Sequence, residues 1–222
     1  MEKIFISRDL GEDSIFHKSL TINGFKVHAA SLVTFAPAPV PEIPPTDWVF
    51  FYSKNAVAFF ISNVGHAALA QVKIAAIGAG TAKILVDTGH PPQFIGDGDP
   101  ARTAADFLKV AQGSRVLFPR ARDSRQSIQR LLADQLVVLD MVVYENVAKQ
   151  DFDLPECQVL VFTSPLNAKS YFSKYKWKGE KVVAIGNTTA TELRKLEITN
   201  AATAEEPSER ALAELVLRLV KE

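Results

Sequence analysis

The sequence predicts an α/β protein built from two related halves, each with a parallel β-sheet covered by helices on both faces. Apolar strand-like runs alternate with helical stretches along the chain, and strands that alternate with helices favour buried parallel sheets. The order of these segments in the first half returns about 110 residues later. The alternative is a set of unrelated strand–helix units that share only their composition.

The composition narrows the classes of protein to which the chain can belong. Its 222 residues, 47% of them hydrophobic, can bury one large core or two small ones. Lys plus Arg and Asp plus Glu both number 25, so no net charge attracts nucleic acid or an anionic membrane. No segment approaches the roughly 20 apolar residues of a spanning helix, and the single cysteine, Cys157, fits a reducing compartment. We expect a soluble, cytoplasmic protein that binds neither nucleic acid nor membrane.

The chain begins with a predicted strand–helix–strand unit. Lys3–Ser7 is the first strand, and a helix follows from an N-cap at Asp13 to Gly24. Phe25–Phe35 is predicted as the second strand. Five prolines between positions 35 and 47 then exclude a regular strand or helix, because proline lacks an N–H and fixes φ. This segment is predicted to be a linker or a crossing between lobes.

Two further strands of the first half end in turns that suit helix starts. Trp48–Tyr52 runs into Ser53-Lys54-Asn55, which offers N-cap chemistry for a helix over 56–63. Lys73–Ile77 runs into Gly78–Thr81, and a helix is expected directly after that turn, from residue 82.

The second half repeats these segments in the same order, which indicates a duplication. The matches pair Arg115–Arg120 with Lys3–Arg8, Leu136–Tyr144 with Phe25–Val33, Val159–Ser164 with Trp48–Ser53, and Val183–Ala190 with Ala75–Ala82. The duplication predicts that the chain crosses between its lobes twice. Tyr144 follows the strand Val137–Val143 and is expected at the second crossing.

Four strand-to-helix turns are candidate anion sites. They contain Ser53 and Lys54, Thr81, Thr163 and Ser164, and Asn187, Thr188 and Thr189. Such turns present free backbone N–H groups at the positive end of a helix dipole. In parallel sheets, ligands bind beyond the carboxyl ends of the strands, where these turns lie. The alternative is that the hydroxyls are ordinary N-caps, each contributing about 1 kcal/mol to helix stability.

Other motifs for nucleotides, metals or nucleophiles do not fit the sequence. A G-x-G-x-x-G motif that starts at Gly78 would need glycine where Lys83 stands, and there is no P-loop Gly-Lys-Ser or Gly-Lys-Thr. The four histidines share no metal-ligand spacing, and no Ser-His-Asp or Cys-His set can be assigned. Five arginines lie between positions 115 and 130 and indicate a solvated helix face. The alternative is that Arg120 or Arg125 lies near the site and pairs with carboxylates.

Taken in order, these segments resemble the uroporphyrinogen-III synthase family, cofactor-free enzymes that close the tetrapyrrole ring. The resemblance lies in Ile6–Arg8, Asp47–Val57, Val142–Tyr144, Phe162–Pro165, Ala184–Ala190 and Ala204–Ser208. It covers nearly the whole chain, and the order and spacing of the segments make it more specific than any single motif. The proline-dense segment departs from the family pattern, since relatives commonly have a helix there.

The resemblance implies two flavodoxin-like parallel-sheet lobes joined by a two-stranded connection, with the first lobe discontinuous. On this chain, lobe one would comprise 1–34 plus 148–222 and lobe two 38–141. The connecting strands would lie at 35–37 and 142–147. The working site is expected in the space between the lobes.

The resemblance also implies the conversion of hydroxymethylbilane, a linear tetrapyrrole, to uroporphyrinogen III with loss of water and inversion of ring D. Tyr144 matches the family's tyrosine and would donate a hydrogen bond to the leaving hydroxyl. Substrate carboxylates would bind to Arg8, Ser53, Lys54, Thr81, Thr163, Ser164, Asn187, Thr188 and Thr189. A monomer without metal or cofactor is expected. The alternative function is a non-catalytic two-lobe protein that binds a small polyanion.

Overall fold

The computed structural model describes residues 2–221, and the chain divides into two compact units. Unit one comprises Met1–Thr34 and Val147–Glu222, and unit two comprises Phe35–Asn146. Each unit is built around one β-sheet. All neighbouring strands of the first sheet run parallel, as do four of the five neighbouring pairs of the second. The edge strand that begins at Val33 runs antiparallel to its neighbour, since the Ala38 N–H donates to the Val143 carbonyl and the Lys149 N–H to the Leu32 carbonyl. The predicted α/β class with parallel sheets is therefore confirmed. Within residues 2–221, no helix is both long enough and apolar enough to cross a membrane.

Unit one contains a five-stranded sheet and four helices, with elements numbered along the whole chain. The strands are β1 (Lys3–Ile6), β2 (Lys26–Ala29), β9 (Val159–Phe162), β10 (Lys181–Ala184) and β11 (Ala202–Thr203). The helices are α1 (Ile15–Ile22), α6 (Pro165–Lys174), α7 (Asn187–Lys195) and α8 (Glu209–Leu219). The sheet order is β11-β10-β9-β1-β2, which is the flavodoxin-like order when the strands are counted along unit one.

Unit two contains the second sheet and its helices. The strands are β3 (Val33–Pro37), β4 (Trp48–Phe51), β5 (Lys73–Ala76), β6 (Phe94–Ile95), β7 (Arg115–Ala121) and β8 (Val137–Ala148). The helices are α2 (Lys54–Val64), α3 (Ala79–Asp87), α4 (Pro100–Ala111) and α5 (Ser127–Leu132), with a 3-10 helix over His66–Leu69. The sheet order is β3-β8-β7-β4-β5-β6.

The two sheets have corresponding strand orders. In the first sheet β2-β1-β9-β10-β11 follow one another, and in the second β8-β7-β4-β5-β6 do so. Four of these five correspondences are the strand pairs that the sequence repeat predicts. The repeat is therefore a repeat of topology as well as of composition.

Both sheets are covered on their two faces because their strands are apolar on both sides. In β1, Ile4 and Ile6 face α1 and α8, whereas Phe5 between them belongs to the core beside α6 and α7. In β4, Val49 packs with α2 and α3, and Phe50 packs with α4 and α5. Successive residues of a strand point to opposite faces, so each strand contributes to two cores.

The second predicted strand, Phe25–Phe35, is wrong as a single element, because the structure divides it into β2 and β3. The Ala30 N–H still donates to the Ile6 carbonyl of β1 at 3.1 Å, but the next two N–H groups bond to side chains. The Ser31 N–H donates to Asp9 Oδ1 at 3.1 Å, and the Leu32 N–H donates to Asn167 Oδ1 at 2.7 Å. These bonds end the pairing with β1.

The exclusion of regular structure from the proline-dense segment is wrong at its start, since β3 continues to Pro37. This strand lies at the edge of the sheet, where a residue without an N–H is tolerated. The remaining prolines up to Pro45 lie outside strands and helices.

Several helix starts differ from the prediction. Helix α2 begins at Lys54 instead of residue 56, and Asn187–Thr189, predicted to lie in a turn, are the first residues of α7. Ser14, not Asp13, is the N-cap of α1, and its Oγ accepts from the His17 N–H at 3.1 Å. Helix α3 begins at Ala79, directly after Gly78. Thr81 is therefore the third helical residue and is buried, whereas the sequence placed it in the preceding turn.

Candidate functional site

The phenol of Tyr144 lies in unit two with its ring held between aromatic side chains. The ring stacks on Phe59 of α2, with centroids 5.1 Å apart and planes at 15°. Phe35 meets it edge-on at 5.6 Å. The Tyr144 hydroxyl lies 3.4 Å from Ser53 Oγ, within hydrogen-bonding distance. The apolar contacts fix the ring, and its polar end lies at the start of α2.

A β-bulge decides which face of the sheet Tyr144 occupies. Along β8, Met141 and Val143 face the core beside α2 and α3, so regular alternation would turn Tyr144 to the opposite face. The pairing register with β7 shifts between Arg120 and Ala121, and Ala121 pairs with Tyr144. Val143 is thus the extra residue, and Tyr144 joins the same core. Tyr144 was expected to follow the end of its strand, but β8 continues to Ala148.

Ser53 has two partners at the carboxyl end of β4. It is the N-cap of α2, and its Oγ accepts from the Ala56 N–H at 3.1 Å while also contacting the Tyr144 hydroxyl. Lys54 begins the helix and is exposed. A Cβ placed on Gly80 would lie 3.4 Å from Lys54 Cε, which shows that the first turns of α2 and α3 are neighbours.

In unit one, the turns after β1 and β9 interlock. Ser7 is fully buried. Its Oγ accepts from the Thr163 N–H at 2.8 Å, and Thr163 Oγ1 donates to the Ser7 carbonyl at 2.9 Å. Ser164 caps α6 by accepting from the Asn167 N–H at 3.2 Å. The hydroxyl proton of Thr163 is therefore already bonded to the protein, whereas Ser164 is engaged as an acceptor.

The start of α7 borders a cavity at the carboxyl edge of the first sheet. Gly186 is the N-cap and offers no side-chain partner to the first N–H groups of the helix. Asn187 and Thr188 are exposed there, and Thr189 is buried. The cavity has a volume of about 380 Å³ and is lined by Pro165, Asn187, Thr188, Thr191, Glu192 and Lys195. The N-terminal turns of α6 and α7 meet at it, which suits an anion.

A second cavity of unit one, about 390 Å³, lies at the opposite edge of the sheet, where Val159 and Lys181 begin their strands. Cys157 and the ion pair between Lys178 and Glu156 line it. Burial raises the pKa of Cys157 to about 11, which makes the thiol unreactive at neutral pH. Because ligands of parallel sheets bind at the carboxyl edge, the cavity beside α7 is the better candidate site.

Of the three arginines proposed as partners of substrate carboxylates, Arg8 and Arg120 have different surroundings, and Arg125 is exposed. Arg8 is exposed, and its charge helps to lower the pKa of Glu209. Burial opposes the ionisation of Glu209, but the Ser14 hydroxyl at 2.7 Å and the Phe16 N–H at 3.2 Å outweigh it. Arg120 is buried and donates from Nε and Nη2 to the two oxygens of Asp140, each at 2.6 Å. The carboxylate that pairs with Arg120 is thus one of the chain's own.

The histidines share no metal-ligand spacing in the sequence, and the structure brings two of them into contact. Nδ1 of His66 and Nε2 of His90 are 2.7 Å apart, although the residues are far apart in sequence. Among residues 2–221, no group of three or more His, Cys, Asp or Glu side chains is arranged to hold a metal ion.

Comparisons with known proteins point to one family. A family model described as uroporphyrinogen-III synthase HemD matches residues 15–214. A curated uroporphyrinogen-III synthase from Chlorobaculum parvum is 26% identical over 224 residues, which cover 89% of this chain and 91% of that protein. The crystal structure of uroporphyrinogen-III synthetase from Helicobacter pylori has a TM-score of 0.60 at 23% identity, covering 99% of this chain and 100% of that one. This last likeness supports the fold.

Proposed function

The chain belongs to the uroporphyrinogen-III synthase family, and from this premise we propose that Tyr144 is the catalytic residue of its reaction. The activity is that of a cyclising lyase of heme biosynthesis that acts on a small-molecule tetrapyrrole. We propose that the substrate is hydroxymethylbilane. We also propose that the active form is a cytoplasmic monomer, which needs neither metal nor cofactor and binds no nucleic acid.

The observation that supports this role is the contact between the Tyr144 hydroxyl and Ser53 at the start of α2, 3.4 Å apart. A phenol carries its proton at neutral pH and can donate it in a hydrogen bond. Directed at the leaving hydroxyl of the substrate, this donor assists the loss of water. The phenol proton passes to the leaving oxygen, so water departs and leaves a resonance-stabilised cation beside the phenolate. The ring-D carbon attacks this cation to form a spiro intermediate, which opens and closes again with ring D inverted. The ring proton lost on closure returns to the phenolate. The remaining task is to hold the flexible substrate in the reactive geometry, which is a large contribution to catalysis.

The substrate carboxylates are proposed to bind at the strand-end turns of both units. Each helix start contributes about 0.3 to 1 kcal/mol to the binding of an anion, and more where the anion is partly buried. Several helix starts acting together can hold a polyanion without a basic surface, which fits the equal numbers of basic and acidic residues. The proposed ligands are Arg8, Ser53, Lys54, Thr81, Thr163, Ser164, Asn187, Thr188 and Thr189.

Asn187 and Thr188 are the best supported of these ligands, because both are exposed and line the cavity beside α7. Thr81 and Thr189 are buried, so their contribution is expected mainly through the helix starts that they help to form.

The decisive experiment is an isomer assay. The purified chain is incubated with hydroxymethylbilane, and the products are oxidised and separated as type I and type III porphyrins. We expect the type III isomer. Only the type I isomer, which forms by spontaneous ring closure, would contradict the function. Saturable binding of hydroxymethylbilane without type III product would favour the polyanion-binding alternative.

A Tyr144→Phe variant tests the catalytic residue. Because a positioned proton donor contributes typically 10²- to 10⁴-fold to a rate, we expect kcat to fall at least about 100-fold with little change in KM. Tyr175→Phe is the control, since this hydroxyl bonds to Asp153 and the Leu154 N–H in unit one. Full activity of Tyr144→Phe would remove Tyr144 from the reaction and leave the family activity intact.

A further inference from the structure

Asn63, near the end of α2, is hydrogen-bonded to the bulge that precedes Tyr144. Its Nδ2 donates to the Val143 carbonyl at 2.8 Å and reaches the Ala38 carbonyl at 3.4 Å. The Ala38 N–H donates to the same Val143 carbonyl at 3.1 Å. The side-chain amide therefore ties helix α2 to the backbone of two neighbouring strand segments.

The carbonyl that Asn63 holds belongs to the residue that changes the face of Tyr144. Val143 is fully buried and is the extra residue between the pairs Arg120–Val142 and Ala121–Tyr144. Without this insertion, the alternation of β8 would place Tyr144 on the face of α4 and α5. The bulge instead brings its ring to α2.

One helix thus supplies three contacts around the phenol. Ser53, its N-cap, lies beside the hydroxyl, Phe59 stacks on the ring, and Asn63 bonds the backbone one residue before it. Phe59 and Asn63 are four residues apart and therefore lie on the same side of the helix. The position of the Tyr144 hydroxyl relative to Ser53 depends on how α2 and the bulge are held together.

We propose that Asn63 is a positioning residue for the reaction, which holds the Tyr144 bulge in register with α2. This inference rests on the proposed role of Tyr144. The Ala38 N–H remains as a partner of the Val143 carbonyl, so loss of the Asn63 amide leaves the strands paired and loosens the hydroxyl. A shift of about 1 Å at a reacting group can cost on the order of 100-fold in rate.

The test is a double-mutant cycle in the full chain between Asn63→Leu, which removes the amide at similar size, and Tyr144→Phe. Alone, Asn63→Leu is expected to lower kcat about tenfold or more with KM within twofold. In the Tyr144→Phe background it is expected to lower kcat no further, because its effect passes through the hydroxyl. Such coupling distinguishes positioning from a general loss of structure, which would act equally in both backgrounds.

Asn23→Leu is the matched control, since the Asn23 amide also donates to a backbone carbonyl at 2.8 Å but lies in unit one. It should leave kcat unchanged. If Asn63→Leu is insoluble, Asn63→Gln, which keeps the donor on a longer side chain, is measured in both backgrounds. A partial loss that disappears with Tyr144→Phe would again support the inference.

Equal losses of kcat in both backgrounds, or unchanged kcat in Asn63→Leu, would overturn the positioning role while leaving Tyr144 as the catalytic residue. Full activity of Tyr144→Phe would overturn both roles and leave the family activity. Absence of type III product from the unmodified chain is the separate result that contradicts the proposed function itself.

Discussion

Arg8 and Arg120 occupy equivalent positions in the sequence repeat, but Arg8 follows β1 whereas Arg120 lies within β7, and only Arg120 is buried. Besides its paired bonds to Asp140, its Nη1 donates to the carbonyls of Ala121 and Arg122 at 2.8 and 2.9 Å. Burial would raise the pKa of Asp140, but the hydrogen bonds from Arg120 and Gln129 outweigh burial and hold it below its usual range. The duplicated position has thus become a structural ion pair in unit two.

Replacing Asp140 by Asn should destabilise the protein. The substitution keeps the shape of the side chain but leaves the buried Arg120 cation without its counter-ion. Breaking a buried pair costs about 3 to 5 kcal/mol and an exposed one under about 1 kcal/mol. Because Asp140 is 41% exposed, we expect a loss of about 1 to 3 kcal/mol, measured by urea unfolding at pH 7.

The control is Glu145→Gln, which removes the more exposed pair between Arg122 and Glu145 and should cost less than about 1 kcal/mol. Because folding lowers the pKa of Asp140, its ion pair stabilises the folded protein fully above the ordinary carboxyl pKa. This stabilisation is lost as the pH falls below that value and then through the lowered pKa. The difference between the unmodified chain and Asp140→Asn should therefore shrink below about pH 4. A constant difference would contradict the ion-pair explanation.

The residue types of the candidate site predicted its helix caps, but not the contacts between residues that are distant in sequence. The hydroxyls of Ser53 and Ser164 were recognisable as cap or ligand positions because capping is decided within one helical turn. The face of Tyr144 depends on a bulge, and the alternation of its strand predicts the opposite face. The sequence does not decide whether Arg120 binds a ligand or faces solvent, because its partner, Asp140, lies on the neighbouring strand.

At the scale of elements, the turn between β6 and α4 depends on a glycine that has no room for a side chain. A Cβ on Gly96 would lie 2.3 Å from Thr103 Cγ2 and 2.6 Å from the Ile77 carbonyl oxygen. The side chain of Thr103 is buried and the carbonyl belongs to the backbone, so neither can move without cost. The two elements can pack together only with glycine at this position.

Gly96→Ala is therefore expected to destabilise the protein by about 1 to 3 kcal/mol, the usual range for overpacking. Gly11→Ala is the matched control, because a Cβ at Gly11 would meet nothing within 4 Å. The free energies of unfolding of both variants are compared in urea. Equal stability of the two would contradict the close packing of Thr103 against this turn.

The correspondence between the strands of the two halves was predictable because the repeat carries it, whereas the limits of the strands were not. β6 and β11 have only two residues each, too few for any alternation to be recognised. The break between β2 and β3 depends on Asn167, which is distant in sequence. Local patterns therefore gave the elements of the repeat, and contacts between distant residues set their ends.

At the scale of the whole molecule, each unit has its own pair of cores. In unit two, both cores are formed by residues of a continuous segment, and they include Val49, Phe60 and Val143 on one face and Phe50 and Phe107 on the other. Unit one is assembled from the two ends of the chain. A segment that contains all the residues of its cores has what it needs to fold alone.

We therefore expect residues 33–148, which include β3 and β8 in full, to fold when expressed alone. Circular dichroism should show helices and strands that unfold cooperatively in urea, and Phe60→Asp, which puts a charge into the core, should abolish the transition. The fragment should form no type III product, because it lacks the turns at Thr163, Ser164 and Thr188. A disordered fragment would show that the cores of unit two need the rest of the chain, and an active one would contradict the proposed contribution of unit one to substrate binding.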